Sequence, residues 1–337
     1  MALLLACALA LGAGAVLAHV TRPPEGGPAV GVRSAPPSST AAAPTPNEPT
    51  PQPERAEEAV EEPRTGTFAA ELKQGLVITG ATSHRMILFT FDDGPDHRNT
   101  PALLDSLDEL GVRAVFFLTA SRLAGSTPRQ REHQAIAREI VRRGHLVGNH
   151  TVDHVQLPLL DLPGIEAQVG GAERLFEEVL GARTWLVRPP GGARSPRVDA
   201  LLAERGYTQV LWNLGTVDFQ VRTAEDVVRT FTRVLERRER ENGERGGVVL
   251  LHDTHAWSVE AMPRIVSWLR QRNCELLDEG EELYDVVDDP RYFFAPRGSA
   301  SPSAAAPPGS MDASTLATRQ SRLREEAALR CARVAAR

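Results

Sequence analysis

The sequence is short of the features that mark several common classes of protein. The chain has 38 lysines and arginines and 44 aspartates and glutamates, so its net charge is −6. A negative net charge gives no general electrostatic attraction to nucleic acid or to an anionic membrane. The three cysteines, Cys7, Cys274 and Cys331, are too few and too scattered for a disulfide framework or a thiolate metal site. We therefore expect no nucleic-acid partner, and the cysteines carry little information. The sequence does not indicate an oligomeric state.

No apolar run reaches the ~20 residues that a membrane-spanning helix needs. Residues Ala2–Ala18 come closest, because they contain no charge and are rich in alanine and glycine. This run resembles the apolar core of a secretory signal, and Val16-Leu17-Ala18 resembles a cleavage site. We expect residues 1–20 to be a signal peptide or a membrane anchor, and the protein to be exported to the periplasm, the cell surface or the medium. Any contact with a membrane is expected through this segment alone.

Proline-rich composition divides the rest of the chain. The 43 residues from 21 to 63 include 11 prolines, which predicts an extended, disordered linker over 21–65. A second linker, rich in serine, alanine and proline, is expected over 296–315. The arginine-rich segment 316–337 is predicted to be a basic tail, helical or disordered. One folded domain remains, over 66–295.

Strand-like and helix-like patterns alternate within this domain. Such alternation predicts a parallel sheet, either doubly wound or closed into a barrel, and both architectures place their sites at the carboxyl ends of the strands. Thr100-Pro101 predicts the start of the helix that follows the first strand. The predicted strands cover 86–93, 113–120, 145–151, 184–190, 207–213 and 247–253.

Charged and imidazole side chains follow the predicted strands. His150 and His154 are four residues apart, a spacing at which two imidazoles can bind one metal ion, and Asp93 would complete a His₂Asp set with open positions for water. Asp92 points to the other side of its strand and stays free to act as a base on water that the cation activates. A turn that caps the strand end would explain one aspartate but not two.

Two further strand ends carry candidate residues. His252 is either a proton donor to a leaving group or a hydrogen-bonded core residue, and Asp253 either orients it or caps a helix. Arg188 is interpreted as a buried cation, which needs an anionic partner, and Asp92 is the candidate for that partner. The Pro-Pro-Gly-Gly backbone after Arg188 could direct an N–H group at a developing oxyanion.

Five segments, TFDDGP, HTVDH, RPPGG, VDF and LLHD, resemble in order and spacing the five motifs of the polysaccharide deacetylases, the NodB-homology enzymes of carbohydrate esterase family four. The resemblance covers about residues 84–275. It implies an α/β fold, a distorted, incomplete (β/α) TIM-like barrel with about seven parallel strands. It also implies a metal-dependent hydrolase that removes N-acetyl groups from the amino sugars of a peptidoglycan or chitin-like glycan. An O-acetyl esterase or small-amide deacetylase on the same barrel, and a catalytically weak glycan-binding module, are the alternatives.

The resemblance implies a catalytic role for five residues. Asp92 would be the general base, and Arg188 would pair with it. The backbone N–H of Gly191 would stabilise the oxyanion. Asp218 would orient His252, which would protonate the departing amine or alcohol.

The resemblance also implies a metal site and a substrate pocket. The metal is most often zinc in this family, with cobalt, manganese or nickel as alternatives, and its ligands would be Asp93, His150 and His154. An acetylated glycan is the expected partner, and its expected contacts are Leu250, Phe219 and Pro190.

Three positions depart from the family pattern. Gly191 stands where the third motif usually has tyrosine or phenylalanine, and Gly215 stands where an aspartate is common. Phe219 replaces a tryptophan, which keeps an aromatic ring beside the acetyl pocket but loses the indole N–H. These changes leave the expected chemistry intact and leave the substrate open.

Overall fold

A computed structural model describes residues 73–74, 77–294 and 313–335. The expected signal or anchor at 1–20, the linker over 21–65 and most of the linker over 296–315 lie outside these residues. Among the helices that the structure describes, none combines the length and the apolar character required to cross a bilayer.

The strands form one sheet. It contains all six predicted strands, together with four short ones that the sequence analysis did not predict. Their bounds are β1 Lys73–Gln74, β2 Val77–Ile78, β3 Met86–Asp92, β4 Val115–Leu118, β5 Leu146–Asn149, β6 Leu186–Val187, β7 Thr208–Val210, β8 Leu214–Gly215, β9 Gly247–His252 and β10 Asp285–Val286.

Helices follow most of the strands, as the alternating pattern predicts. Four of them begin at a side chain that accepts a hydrogen bond from a backbone N–H of the first turn: Thr127, Asp161, Ser195 and Thr223. The helices of the described residues are α1 Asn99–Leu110, α2 Pro128–Arg142, α3 Leu162–Leu180, α4 Pro196–Glu204, α5 Ala224–Asn242, α6 Ala256–Asp278 and α7 Ala313–Ala335.

The sheet is an incomplete (β/α) barrel. Eight parallel strands run in the order β2-β7-β6-β5-β4-β3-β9-β8, while β1 pairs antiparallel with β2 and β10 pairs with the beginning of β3. Within the described part of the chain no ladder joins β8 back to β2, so the barrel stays open on that side. The predicted fold class is confirmed.

Alternation along the central strands separates two apolar layers. Ile87, Phe89 and Phe91 of β3 pack against the helices, whereas Met86 and Leu88 belong to a second cluster inside the half-barrel. Side chains two apart share a face of a strand, so Thr90 and Asp92 also face the interior. In β9 the same alternation places Leu250 and His252 inside, next to β3.

The C-terminal helix α7 packs against α6 and β10. Arg319 of α7 is buried and donates to both carboxylate oxygens of Asp285, at 2.6 and 2.8 Å. The side-chain amide of Gln320 bonds the backbone N–H and C=O of Leu283, each at 2.9 Å. The helix begins at Ala313, three residues before the tail expected from composition.

A disulfide between Cys274 and Cys331 joins α6 to α7. The sequence analysis gave these cysteines no weight, because their separation of 57 residues is not part of any recognisable spacing. Closing a loop of this length stabilises a fold by about 4 kcal/mol in the chain-entropy description. The C-terminal segment is therefore held both covalently and by a buried ion pair.

We predict that Arg319→Met lowers the free energy of unfolding by about 3–5 kcal/mol, because it leaves Asp285 buried without its cation. Arg322→Met is the matched control: Arg322 also lies on α7 and pairs with Asp288, but half of its side chain is exposed. Its loss should cost less than about 1 kcal/mol. Urea unfolding followed by circular dichroism measures both, and equal stability of the two variants would contradict the role given to Arg319.

Candidate metal and catalytic site

The candidate residues converge at the carboxyl ends of neighbouring strands, as predicted. Asp92 at the end of β3 lies opposite His252 at the end of β9. His150 and Arg188 directly follow β5 and β6, which are themselves neighbours. The four side chains come from four different strands, so the sheet rather than any single loop fixes their spacing.

Asp93, His150 and His154 form a cluster of metal-ligand type. One donor atom from each lies within 4.8 Å of the other two. The Oδ1 atom of Asp93 is 3.5 Å from His150 Nε2 and 3.3 Å from His154 Nε2, yet it is buried without any hydrogen-bond partner. A buried carboxylate oxygen without a partner, facing two ring nitrogens, fits a cation bound between the three residues.

The backbone at this cluster is unusual. Asp93, Thr151 and His154 all have left-handed φ angles, of 72°, 68° and 58°. Such conformations cost free energy for residues other than glycine, and they concentrate at functional sites. Here they turn the side chains of Asp93 and His154 toward the same point.

His150 is prepared as a neutral ligand. Its Nδ1–H donates to the backbone carbonyl of Arg188 at 2.7 Å, which leaves the lone pair of Nε2 directed toward the two aspartates. Burial lowers the pKa of His150. The imidazole therefore stays uncharged, the form that binds a metal.

Asp92 is the second carboxylate and is almost fully buried, with 3% of its surface exposed. Arg188 Nη1 donates to Asp92 Oδ1 at 2.7 Å and to Thr90 Oγ1 at 2.8 Å. The other oxygen, Oδ2, is 3.6 Å from His150 Nε2. One oxygen of Asp92 thus holds the arginine while the other faces the metal-ligand cluster.

Arg188 is completely buried, and its other two nitrogens also donate hydrogen bonds. Nε donates to the carbonyl of Val210 at 2.8 Å, and Nη2 to that of Leu211 at 3.3 Å. The guanidinium lies 4.2 Å from the ring centre of Phe117 and 5.4 Å from that of Trp212. Burial lowers the pKa of Arg188, but the charge of Asp92 opposes this change.

His252 and Asp218 form a pair on the other side of the cluster. His252 Nδ1 donates to Asp218 Oδ1 at 2.7 Å, and Oδ2 accepts from the His252 backbone N–H at 2.7 Å and from Ser258 Oγ at 2.6 Å. His252 Nε2 lies 3.9 Å from Asp93 Oδ2, so the free nitrogen faces the metal-ligand cluster. Val217, directly before Asp218, has a φ of 48°, a rare conformation for a β-branched residue.

The environment keeps this pair charged. Burial alone would lower the pKa of His252, but the hydrogen bond and the charge of Asp218 outweigh it and raise the pKa to about 9. Burial would raise the pKa of Asp218, but its hydrogen bonds with His252 and Ser258 hold it below the ordinary value. At neutral pH the arrangement is a protonated imidazole on an ionised carboxylate, which can give up a proton at Nε2.

Asp253 has a different role from either of those considered. It neither orients His252 nor caps a helix, and instead accepts a hydrogen bond from Thr100 Oγ1 at 2.5 Å. Thr100 is therefore not the N-cap that the sequence predicts: the N-cap is Arg98, and helix α1 begins two residues earlier than expected, at Asn99. Burial raises the pKa of Asp253 to about 7. A Cβ at Gly94 would collide with its carboxylate, so glycine is required beside Asp93.

The remaining expected residues line the approach to the cluster. The N–H of Gly191, whose φ is 63°, has no protein acceptor within the described part of the chain. The ring of Phe219 is half-exposed and stands edge-on to His252, 5.8 Å between centres. Leu250 lies two residues before His252, on the same face of β9. Pro190 is buried, and its expected contact with substrate stays a prediction.

Sequence reasoning missed several residues that support the site. Thr90 is two positions before Asp92, so strand alternation alone could have placed it beside Arg188. Ser258 donates a hydrogen bond to the carboxylate of Asp218. Trp257 Nε1 donates to the backbone carbonyl of Asp218 at 2.7 Å. Nothing in the local sequence indicates these contacts, because each joins residues about 40 positions apart.

Comparison with known proteins gives a consistent result. The family model described as polysaccharide deacetylase matches residues 79–210. A peptidoglycan-N-acetylglucosamine deacetylase of Bacillus cereus is 28% identical over 209 residues, which cover 61% of this chain and 70% of that protein. A chitin deacetylase of Pestalotiopsis sp is 30% identical over 190 residues, 56% of this chain and 60% of that protein.

A solved structure shares the fold. The Bc1960 peptidoglycan N-acetylglucosamine deacetylase, solved with 4-naphthalen-1-yl-N-oxidanyl-benzamide, superposes with a TM-score of 0.51 at 25% identity, over 58% of this chain and 87% of that one. The open half-barrel, with its charged and imidazole groups at the strand ends, defines a hydrolase of the incomplete (β/α)-barrel class. The resemblance to the polysaccharide deacetylases, enzymes that hydrolyse carbon–nitrogen bonds other than peptide bonds, is confirmed over residues 79–210 by the family model and supported by the named relatives.

We predict that His150→Ala weakens zinc binding by more than about a hundredfold. The change removes one of the three ligands, and His150 is the ligand whose ring is oriented by the backbone carbonyl of Arg188. Isothermal titration calorimetry of the chelator-treated protein measures the affinity. His84→Ala is the matched control, since His84 lies before β3 at the opposite end of the sheet and contacts Glu282. Full zinc loading of the His150 variant would show that the ligand assignment is wrong.

We predict that Asp218→Asn lowers the pKa of His252 from about 9, because the hydrogen bond to an ionised carboxylate and its opposing charge are lost while burial remains. Protonation of His252 stabilises the wild-type fold fully below about pH 6.5, and this contribution is lost as the pH rises through about 9. NMR titration of the metal-free protein reports the pKa, with His252→Gln used to assign the signal. Asp226→Asn, on the exposed start of α5, should leave the pKa in place. A value that stays near 9 in the Asp218 variant would refute this account.

Proposed function

We propose that the protein is an exported, metal-dependent deacetylase that removes N-acetyl groups from the amino sugars of a peptidoglycan or chitin-like polysaccharide. One observation carries the proposal: a metal-ligand cluster lies between a buried carboxylate held by an arginine and a protonated histidine held by a carboxylate. Amide hydrolysis needs a base for the attacking water and an acid for the leaving amine; Asp92 contacts the cluster at His150, and His252 contacts it at Asp93. The apolar N-terminal segment and the names of the relatives support export.

The residues suit a divalent cation, for which we propose zinc, with cobalt, manganese or nickel as alternatives. Asp93, His150 and His154 would hold it, since two neutral imidazoles and one carboxylate are a catalytic ligand set that leaves positions open. When bound there, a divalent cation would polarise the acetyl carbonyl and lower the pKa of the attacking water.

Asp92 accepts a proton from the water as its oxygen attacks the acetyl carbon. Arg188 keeps Oδ1 of Asp92 occupied, so the proton goes to Oδ2, the oxygen that faces the cluster. The N–H of Gly191 donates to the oxygen that becomes negative in the tetrahedral intermediate. Attack thus leaves one proton on the enzyme and one new carbon–oxygen bond in the substrate.

His252 completes the reaction from the other side. As the carbon–nitrogen bond breaks, Nε2 gives its proton to the departing nitrogen, and Asp218 stabilises the charge of the imidazolium until that moment. The products are acetate and a free amino sugar. The acetyl methyl group has an apolar surface available in Leu250 and in the half-exposed ring of Phe219.

We predict that the metal-loaded protein releases acetate from N-acetylglucosamine oligomers, that chelator stops the release, and that zinc or cobalt restores it. Asp92→Asn should lower kcat by about a thousandfold, since the base is lost while the hydrogen bond to Arg188 can persist. Asp105→Asn is the matched control: it makes the same substitution at an exposed aspartate of α1. Acetate and product chains are quantified by chromatography and mass spectrometry.

Two results would contradict this proposal in different ways. Release only from acetylated xylan or aryl acetates would indicate an O-acetyl esterase on the same barrel, for which the open space at Gly191 gives room. Failure to release acetate from every substrate, with wild type and Asp92→Asn binding sugar chains equally well, would indicate a glycan-binding module.

A further inference from the structure

Asp253 is a buried carboxylate that takes no part in the reaction proposed above. It directly follows the acid His252, and its side chain has no exposed surface. Its Oδ2 accepts from Thr100 Oγ1 at 2.5 Å, whereas its Oδ1 is buried and has no hydrogen-bond partner among the described residues. A buried polar group of this kind calls for an explanation, and its contacts supply one.

The carboxylate of Asp253 packs on Gly94, the residue that follows the metal ligand Asp93. A Cβ at Gly94 would overlap both carboxylate oxygens, so the two residues are in direct contact at the Cα atom. The carbonyl oxygen of Gly94 accepts from the N–H of Thr119, which follows β4, at 3.0 Å. The position next to Asp93 is therefore held both from β4 and from the end of β9.

Thr100 connects this contact to the rest of the loop between β3 and α1. Its Oγ1 donates to Asp253 and accepts from the backbone N–H of Asp96 at 2.8 Å. A second bond runs beside the first, because Asn99 Nδ2 donates to the carbonyl of Thr254 at 3.0 Å. Two consecutive residues after β9 thus bind the first turn of α1, and they fix the loop that begins at Asp93.

The backbone of Asp93 needs such support. Its φ of 72° is left-handed, a conformation that costs free energy for an aspartate and persists only where the surroundings determine it. The approach of its Oδ1 to His150 and His154, at 3.5 and 3.3 Å, depends on that conformation. Relaxation of the loop to a negative φ would turn the carboxylate away from the two imidazoles.

We propose that Asp253 is a positioning residue that holds the metal ligand Asp93 in its left-handed conformation. It acts by packing on Gly94 and by accepting the hydrogen bond of Thr100. The inference rests on the proposed function, in which Asp93 is a metal ligand. Because Asp253 adjoins His252, the same contact also sets the spacing between the acid and the ligand, whose Nε2 and Oδ2 atoms are 3.9 Å apart.

A purely structural role for Asp253 makes a different prediction. Its hydrogen bond from Thr100 reaches the first turn of α1, so its loss would then lower the stability of the fold and change nothing else. A variant would melt at a lower temperature, but its folded form would bind zinc as tightly as the wild type. A positioning role instead changes the affinity of the folded protein for the metal.

Zinc affinity of the chelator-treated protein, measured by isothermal titration calorimetry below the melting temperature, separates the two roles. Asp253→Ala should raise the Kd for zinc by about tenfold or more, because a contact that orients a ligand is lost. Asp253→Asn keeps the size of the side chain and an oxygen that can accept from Thr100. Its Kd should therefore stay within about threefold of the wild-type value.

Asp285→Ala is the matched control for Asp253→Ala. Asp285 is also a buried aspartate, but it lies on β10, which pairs with the beginning of β3, and it accepts from Arg319. Its loss should lower the melting temperature and leave the Kd for zinc unchanged. The visible absorption of the cobalt-loaded protein depends on the number and geometry of the ligands, so Asp253→Ala should alter the spectrum and Asp285→Ala should not.

Thr100→Val tests the same contact with a smaller change. It removes the hydroxyl but keeps the shape of the side chain, and it should raise the Kd for zinc by about fivefold. Thr100→Ser retains the hydroxyl and should leave the Kd unchanged. If Asp253→Ala does not fold, the difference between these two variants decides the question.

Gly94→Ala tests whether the contact is direct. In the wild-type background the added Cβ displaces the carboxylate of Asp253, and the Kd for zinc should rise. In the Asp253→Ala background the space is free, so the same change should have little further effect. Additive effects of the two changes would contradict a direct contact.

The outcomes separate this inference from the proposed function. An unchanged Kd in Asp253→Ala and Thr100→Val, or an Asp253→Asn variant as impaired as Asp253→Ala, would overturn the positioning role and leave the deacetylase in place. A wild-type protein that binds no divalent cation and releases no acetate would contradict the proposed function itself. Zinc binding that depends on Asp253 and Thr100, without acetate release from any glycan, would support the positioning role and contradict the deacetylase.

Discussion

The burial of one arginine constrains the whole site. A guanidinium removed from water must have its charge balanced and its donors satisfied, and the side chain of Arg188 has no exposed surface. Asp92 balances the charge from β3, and the carbonyls of Val210 and Leu211 accept from the end of β7. Three strands that are not all neighbours in the sheet are thus tied to one side chain. Moving any of them would expose an uncompensated charge to an apolar interior.

The same residue links the two halves of the chemistry. The side chain of Arg188 fixes one oxygen of Asp92, while its backbone carbonyl accepts from Nδ1 of His150 and so fixes the ring of a metal ligand. Base and ligand are therefore positioned from a single point on β6. His252 is held separately, by Asp218 and the start of α6. Its imidazole can therefore keep a pKa of about 9 although it lies close to a neutral histidine and to ionised aspartates.

The sequence was sufficient for the parts of the molecule that local rules determine. Runs of β-branched and aromatic residues located six of the ten strands, among them the two-residue β6, and the position of polar residues at their ends located the site. The four strands that were missed, such as β8 and β10, have only two residues each and carry little pattern of their own. Contacts between distant positions were also missed. Thr100 has the sequence context of a helix N-cap, but its hydroxyl donates to Asp253, which directly follows β9. Cys274 and Cys331 meet only because α7 folds back on α6.

The three departures from the family pattern, at Gly191, Gly215 and Phe219, change uncharged surfaces and none of the charged groups. The donor at Gly191 is a backbone N–H in a left-handed conformation, so the absent aromatic side chain removes a surface without removing a catalytic atom. Phe219 and Gly215 likewise change surfaces near His252 and leave Asp218 in place. Asp92, Arg188 and His252 sit at strand ends and Asp218 in a buried turn, whereas the departures at Gly191, Gly215 and Phe219 are uncharged. Substrate choice can therefore change in this fold without disturbing the balance of buried charges on which hydrolysis depends.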